Sequence, residues 1–78
     1  MELEELGRRI SRARRDRRIS QDELAHACGL SRQTLSGLER GELTDLGLRK
    51  LERLLEALDL QLALRPLRHP ITLDDLAP

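Results

Sequence analysis

The chain is 78 residues long, enough for one small domain and too short for two of ordinary size. It contains no aromatic residue, so its core must be built from leucine, isoleucine and alanine, and stacking of unpaired bases on aromatic side chains is excluded as a binding mode. Fourteen basic residues balance fourteen acidic ones, which removes any general argument for a polyanionic partner. Their distribution restores one: between Gly7 and Arg18 seven arginines stand against Asp16 alone, a local charge of +6, and the rest of the chain sums to −6.

That arginine run belongs to the first element. Leu3, Leu6, Ile10 and Ala13 recur at helical spacing, which predicts an amphipathic helix over residues 2–17 whose arginines lie mostly away from the apolar stripe. By itself such a run is equally well read as a solvated helix face, so its position in the fold has to decide its role. Ser20 then stands where an N-cap belongs, Glu23 completes a capping box, and Ile19 can pack on Leu24 as a hydrophobic staple, which starts a second helix at Gln21. Leu24, Ala25 and Cys28 face inward, and Gly29 ends that helix in the left-handed conformation open to glycine.

Ser31 caps a third helix, residues 32–40, with Leu30 stapled to Leu35 and Leu38 extending the apolar edge until Gly41 stops it. After the turn GELTD, Thr44 or Asp45 is positioned to cap a fourth helix, whose apolar side is Leu48, Leu51, Leu54, Leu55 and Leu58. From Leu60 the period changes. Leu60, Leu62 and Leu64 alternate with Gln61, Ala63 and Arg65 in the manner of a strand that Pro66 ends. The tail that follows holds prolines and one prospective helical turn capped by Thr72 with Asp75 at its third position. The expected organisation is therefore a domain over residues 1–59, a dimerisation strand over 60–66 and a C-terminal tail over 67–78.

Two short helices joined by a tight turn pack closely only if a small side chain lies at their crossing and a glycine permits the bend. Counted from Gln21, Ala25 is fifth, Gly29 ninth, Leu35 fifteenth and Leu38 eighteenth, the spacing of a helix-turn-helix. The stretch SQDELAHACGLSRQTLSGLERG resembles the helix-turn-helix core of the Cro and phage-repressor, or XRE, family, over about residues 6–58. The resemblance implies an all-α, lambda-repressor-like bundle of four to five helices that lays its third helix in the major groove of double-stranded DNA.

Carried across position by position, it implies base contacts from Arg32, Gln33 and Ser36. It implies phosphate contacts from Gln21, Ser31 and Thr34, with Arg40, Arg49, Arg17 and Arg18 flanking them, and a structural ion pair between Arg14 and Glu39. The chemistry suits these roles: arginine donates twice to guanine O6 and N7, glutamine pairs with adenine N6 and N7, and serine accepts several partners. Two places, the outward side of the third helix and the loop after it, depart from the family pattern. Gly37 stands where relatives often aim a side chain at bases, and Glu42 and Asp45 stand where relatives often carry basic or neutral residues.

A lone strand leaves an unpaired edge, which a second copy of the chain would satisfy, so a homodimer is expected, with Leu58, Leu60, Leu62 and Leu64 at its interface. The alternative is a fourth helix that runs on through Leu62 into a helical interface. The segment LDLQLALRP is similar to the end of HipB-like antitoxins, which implies a second function: neutralising a toxin protein such as a HipA-like kinase, with Ile71, Leu73 and Leu76 of the tail as candidate contacts.

Other residues read blandly. Cys28 is expected to be a buried, inert thiol, and His26, Cys28 and His69 lack the spacing of a zinc site, so no metal and no cofactor is expected. Asp74 and Asp75 read as solvated charges, and no enzyme is indicated. A lone cysteine and the lack of a signal peptide or an apolar span of about 20 residues point to the cytoplasm, with no membrane partner and no evident small-molecule ligand.

Overall fold

A computed structural model describes residues 3–43 and 45–66. They form four helices, α1 (Leu3–Asp16), α2 (Gln21–Cys28), α3 (Arg32–Glu39) and α4 (Leu48–Ala57), and no strand. The described residues are all-α, as the sequence predicts for the helical bundle. The expected tail turn capped by Thr72, the tail residues Ile71, Leu73, Leu76, Asp74 and Asp75, and His69 lie outside the described residues.

The helices pack because each brings one apolar side to a common centre. Ile10 of α1, Leu24, Ala25 and Cys28 of α2, Leu35 and Leu38 of α3, and Leu54, Leu55 and Leu58 from the end of α4 are all buried, with Leu30 closing the turn between α2 and α3. Removing any of the large leucines would leave a cavity, a change that typically costs about 2–5 kcal/mol.

The closest approach is made at Gly7. A side chain there would place its first carbon 2.0 Å from the backbone oxygen of Leu38 and 3.3 Å from the Glu39 Cα, so α1 can lie on the last turn of α3 only while residue 7 has no side chain. Nothing in the local sequence signals this contact.

Helix ends follow the predicted caps at α2 and α3 and depart from them elsewhere. α1 and α4 both close with a left-handed residue that is not glycine. Arg18 has φ 56° and Asp59 φ 57°. Beyond them, Ile19 N donates to Arg14 O at 3.1 Å and Leu60 N to Leu55 O at 2.8 Å, the Schellman closure usually built on glycine.

α4 starts at Leu48 after Gly47, with no side-chain cap, rather than at a cap from Thr44 or Asp45; Thr44 lies outside the described residues. The reason is tertiary. Leu43 and Leu46 are half-buried against the core and hold the connecting segment in an irregular path, which delays the helix.

Two expectations about the C-terminal part are corrected. Leu58, expected at a dimer interface, is fully buried in this chain's own core, because the left-handed Asp59 turns the backbone away just after it. For the same reason α4 does not run on through Leu62: it ends at Ala57. Residues 60–66 are neither helix nor strand in the single chain, and Leu60, Leu62 and Leu64 are exposed.

Candidate functional site

The α2–turn–α3 unit is assembled by local hydrogen bonds that the sequence encodes directly. Ser20 Oγ accepts from Glu23 N at 3.0 Å while Glu23 Oε1 accepts from Ser20 N at 3.1 Å, a complete capping box at the start of α2. The Ser20 backbone bond, with help from the hydroxyl, also holds the Glu23 carboxyl below the usual carboxylate range. Gly29, at φ 68°, turns the chain, and Leu30 N reaches back to Ala25 O at 2.9 Å. Ser31 Oγ then caps α3 by accepting from Thr34 N at 3.0 Å, and donates its proton to Thr34 Oγ1 at 2.8 Å.

On its inner side α3 is sealed. Leu35 and Leu38 are fully buried, and Glu39 is locked to α1 by a two-pronged pair: Arg14 Nε donates to Oε2 at 2.7 Å and Arg14 Nη2 to Oε1 at 2.9 Å. The side chains of this pair are only 11% and 5% exposed. Gln21 Nε2 adds a third hydrogen bond to Glu39 Oε1 at 3.0 Å, and Arg14 Nη1 donates to Ile19 O at 2.9 Å, so one cluster ties α1, the α1–α2 turn, α2 and α3 together. Burial by itself would raise the Glu39 carboxyl, but the bonds from Arg14 and Gln21, the Arg14 charge and the Ser11 hydroxyl outweigh it and hold the group below its ordinary range. The Arg14 guanidinium is stabilised in its charged form by the same bond to Glu39, against the cost of its burial.

On its outer side α3 is open. Arg32 and Gln33 are exposed, Thr34 and Ser36 are half-exposed, and Gly37, itself buried, has open space beyond its own helix backbone where a side chain would stand. The first turn of α3 carries no acidic residue and begins with Arg32, the opposite of what the helix dipole favours. Arg32 Nε lies 3.8 Å from Asp22 Oδ1 on α2, a loose contact between two well-exposed side chains.

The structure thus brings Arg32, Gln33, Thr34 and Ser36 to one outward side of one helix. Gln21 and Ser31 sit differently. The Gln21 amide is engaged with Glu39, and the Ser31 hydroxyl is engaged with Thr34, which leaves the Thr34 hydroxyl proton as the mobile donor of that pair. Arg40 is held between Ser36 Oγ, which accepts from Nη1, and Glu42 Oε2, 3.1 Å from both Nε and Nη2. Arg17 donates Nη1 to Ala13 O at 3.2 Å and approaches Asp59 Oδ2 at 3.9 Å. Arg18 and Arg49 are exposed at the start of the α1–α2 turn and in the first turn of α4.

The site residues that sequence reasoning missed are Gly7, which seats α1 on α3, and Asp22, which sits beside Arg32; the charge of Glu42 is legible in the sequence, but its contact with Arg40 is not. Cys28 is buried, its thiol pushed up by burial against a smaller opposing influence of Arg53. Among the described residues no group of three or more His, Cys, Asp or Glu side chains could hold a metal ion, and no helix is long and apolar enough to cross a membrane.

A family model described as helix-turn-helix matches residues 10–64. Among solved structures, the restriction-modification controller protein C.AhdI from Aeromonas hydrophila is similar at 34% identity and TM-score 0.70, over 76% of this chain and 88% of that one. SinR, a master regulator for biofilm formation solved in complex with DNA, is similar at 33% identity and TM-score 0.65, over 70% of this chain and 87% of that one. A SinR–SinI protein complex matches at 33% identity and TM-score 0.64, over 69% of this chain and 52% of that one. No curated protein sequence matches.

Proposed function

Because the chain belongs to the XRE-type helix-turn-helix family, we propose that it is a sequence-specific regulator of transcription that reads double-stranded DNA with the outer side of α3. The observation that carries this reading is the open polar surface of Arg32, Gln33, Thr34 and Ser36 raised on a helix whose other side is sealed into the core. Arg32 and Gln33 supply bidentate donors and acceptors for base edges, Ser36 a third polar contact, and the Thr34 hydroxyl a donor for a phosphate. Gln21 and Ser31 act chiefly by orienting this surface, and Arg17, Arg18 and Arg49 extend the positive track beside it. Occupation of an operator makes the protein a repressor, acting in the cytoplasm without catalysis or cofactor.

A second copy of the chain completes the molecule. Leu48, Leu60, Leu62 and Leu64 are exposed along α4 and the segment after it, and with Leu55 they border a shallow groove. An antiparallel pairing of residues 60–66 from two copies would give one backbone edge of each copy a partner and bring their exposed leucines together. Twofold symmetry then calls for an inverted repeat with half-sites about 34–36 Å apart, or a multiple of that spacing.

Selection from random duplex DNA tests the proposal. The expected outcome is an inverted repeat bound with an affinity that falls steeply as salt rises; a salt-independent affinity or an unrelated set of winners would overturn it. A second reading, an antitoxin that also captures a toxin protein, rests on the resemblance of residues 58–66 to HipB-like antitoxins; the SinR–SinI complex supports only its more general part, that a chain of this kind binds a second protein. Deleting residues 67–78 separates the two readings: DNA binding persists under both, and capture of a HipA-like kinase is lost only under the second.

A further inference from the structure

The acidic residue that follows α3 is not placed at random. Gly41, at φ 74°, turns the chain back, and the backbone of the next residue is pinned to α3: Glu42 N donates to Gly37 O at 2.9 Å. This fixes the start of the Glu42 side chain and delivers its carboxylate to Arg40, whose Nε and Nη2 both lie 3.1 Å from Oε2. Arg40 runs on from there to Ser36, one helical turn back, and donates Nη1 to its hydroxyl oxygen. A continuous relay therefore connects the loop after α3 to the side chain at the end of its outward surface. Beyond Ser36 the surface stops, because Gly37 offers no side chain and faces open space.

Resting on the DNA-reading function proposed above, we infer that Glu42 is a positioning residue for sequence discrimination, acting through Arg40. It does two things at once. It withholds Arg40 from the phosphate backbone, so that this arginine adds little to the sequence-independent attraction that every duplex offers. It also holds Arg40 on Ser36, which places a donor on the serine oxygen and leaves the serine proton for an acceptor. Ser36 then favours base edges that present acceptors, such as guanine O6 or N7 and thymine O4, over the cytosine amino group. The acidic residue thereby trades general affinity for selectivity.

The test compares full-length wild type with Glu42→Ala, Arg40→Ala and the double variant. Affinity is measured as a function of salt on the selected duplex and on a scrambled one. Glu42 is exposed, so its replacement leaves the fold in place. In Glu42→Ala the freed Arg40 of each copy reaches a phosphate: the slope of log K against log salt steepens by about 0.9 per copy, about 1.8 for the dimer, and the ratio of specific to scrambled affinity falls several-fold. At the base pair read by Ser36 the preference for an acceptor relaxes in both single variants. In the Arg40→Ala background, removing Glu42 changes neither slope nor ratio.

An unchanged slope in Glu42→Ala overturns the inference, as does an equal effect of that substitution with and without Arg40, since Glu42 would then repel phosphates on its own. A wild type without any salt-dependent duplex binding overturns the parent reading as well, which separates the two failures.

Discussion

The inner and outer sides of α3 follow opposite rules within eight residues. Inside, Leu35 and Leu38 are fully buried, the Glu39 carboxylate has three hydrogen bonds from Arg14 and Gln21, and the backbone of Leu38 presses against Gly7. Outside, Arg32 and Gln33 stand in solvent, Asp22 only loosely engages Arg32, and Gly37 faces empty space. What the contrast teaches is a division of labour: substitutions inside should act on folding, and substitutions outside on recognition. Four experiments can break or sharpen that division.

The largest effect belongs to the buried pair. Arg14→Ala leaves the Glu39 carboxylate enclosed without its counter-ion, which costs about 3–5 kcal/mol, a large share of the stability of so small a domain. Urea unfolding should register the whole loss, and a variant as stable as wild type would mean that α1 is not held to α3 by this bridge. Next comes Gly7→Ala, whose added carbon has no room beside the Leu38 carbonyl; overpacking of this kind costs about 1–3 kcal/mol and should lower the thermal midpoint by several degrees.

The acid limb of stability is the third case. The folded Glu39 carboxyl titrates below its unfolded value, so the unfolded chain binds its proton first as the pH falls. The contribution of Glu39 is complete above the ordinary glutamate value of about 4.3 and is lost as pH drops through the lower, folded value. Glu39→Gln should flatten that part of a stability-against-pH curve; an unaltered curve would place the acid sensitivity elsewhere. The smallest effect has the opposite sign. Gly37→Ala meets no neighbour and replaces a poor helix former inside α3, so it should raise stability by up to about 1 kcal/mol in the same denaturation assay. A loss would mean that the outer side is not open there.

How far these features could be read in advance depends on how local their causes are. The capping box of Ser20 and Glu23, the cap at Ser31 and the left-handed Gly29 involve residues within a few positions of one another, and the start of α2 and the turn into α3 were legible from them. The start of α4 was not, because Leu43 and Leu46 are drawn to a core made by distant residues and override the nearby capping signal. Arg18 and Asp59 end their helices in a conformation that favours glycine, so no glycine marked those ends, and Leu58 was assigned to an interface when the turn at Asp59 folds it into the core.

The candidate site shows the same limit. The outward residues of α3 follow from the resemblance to the helix-turn-helix family, whereas Gly7 and the Glu42–Arg40–Ser36 relay depend on contacts between elements or on loop geometry that neither the resemblance nor spacing reports.

The most direct measurement pairs stability with discrimination in Arg32→Ala and Gln33→Ala, each assayed on the selected duplex and on a panel of its single base-pair variants. Both proteins should melt with wild type, and each should lose about 1–3 kcal/mol of preference at its own base pair while the other positions keep theirs. Affinity that falls equally on every duplex, or discrimination that survives both substitutions intact, would contradict the assignment of the outer side of α3 as the surface that reads DNA.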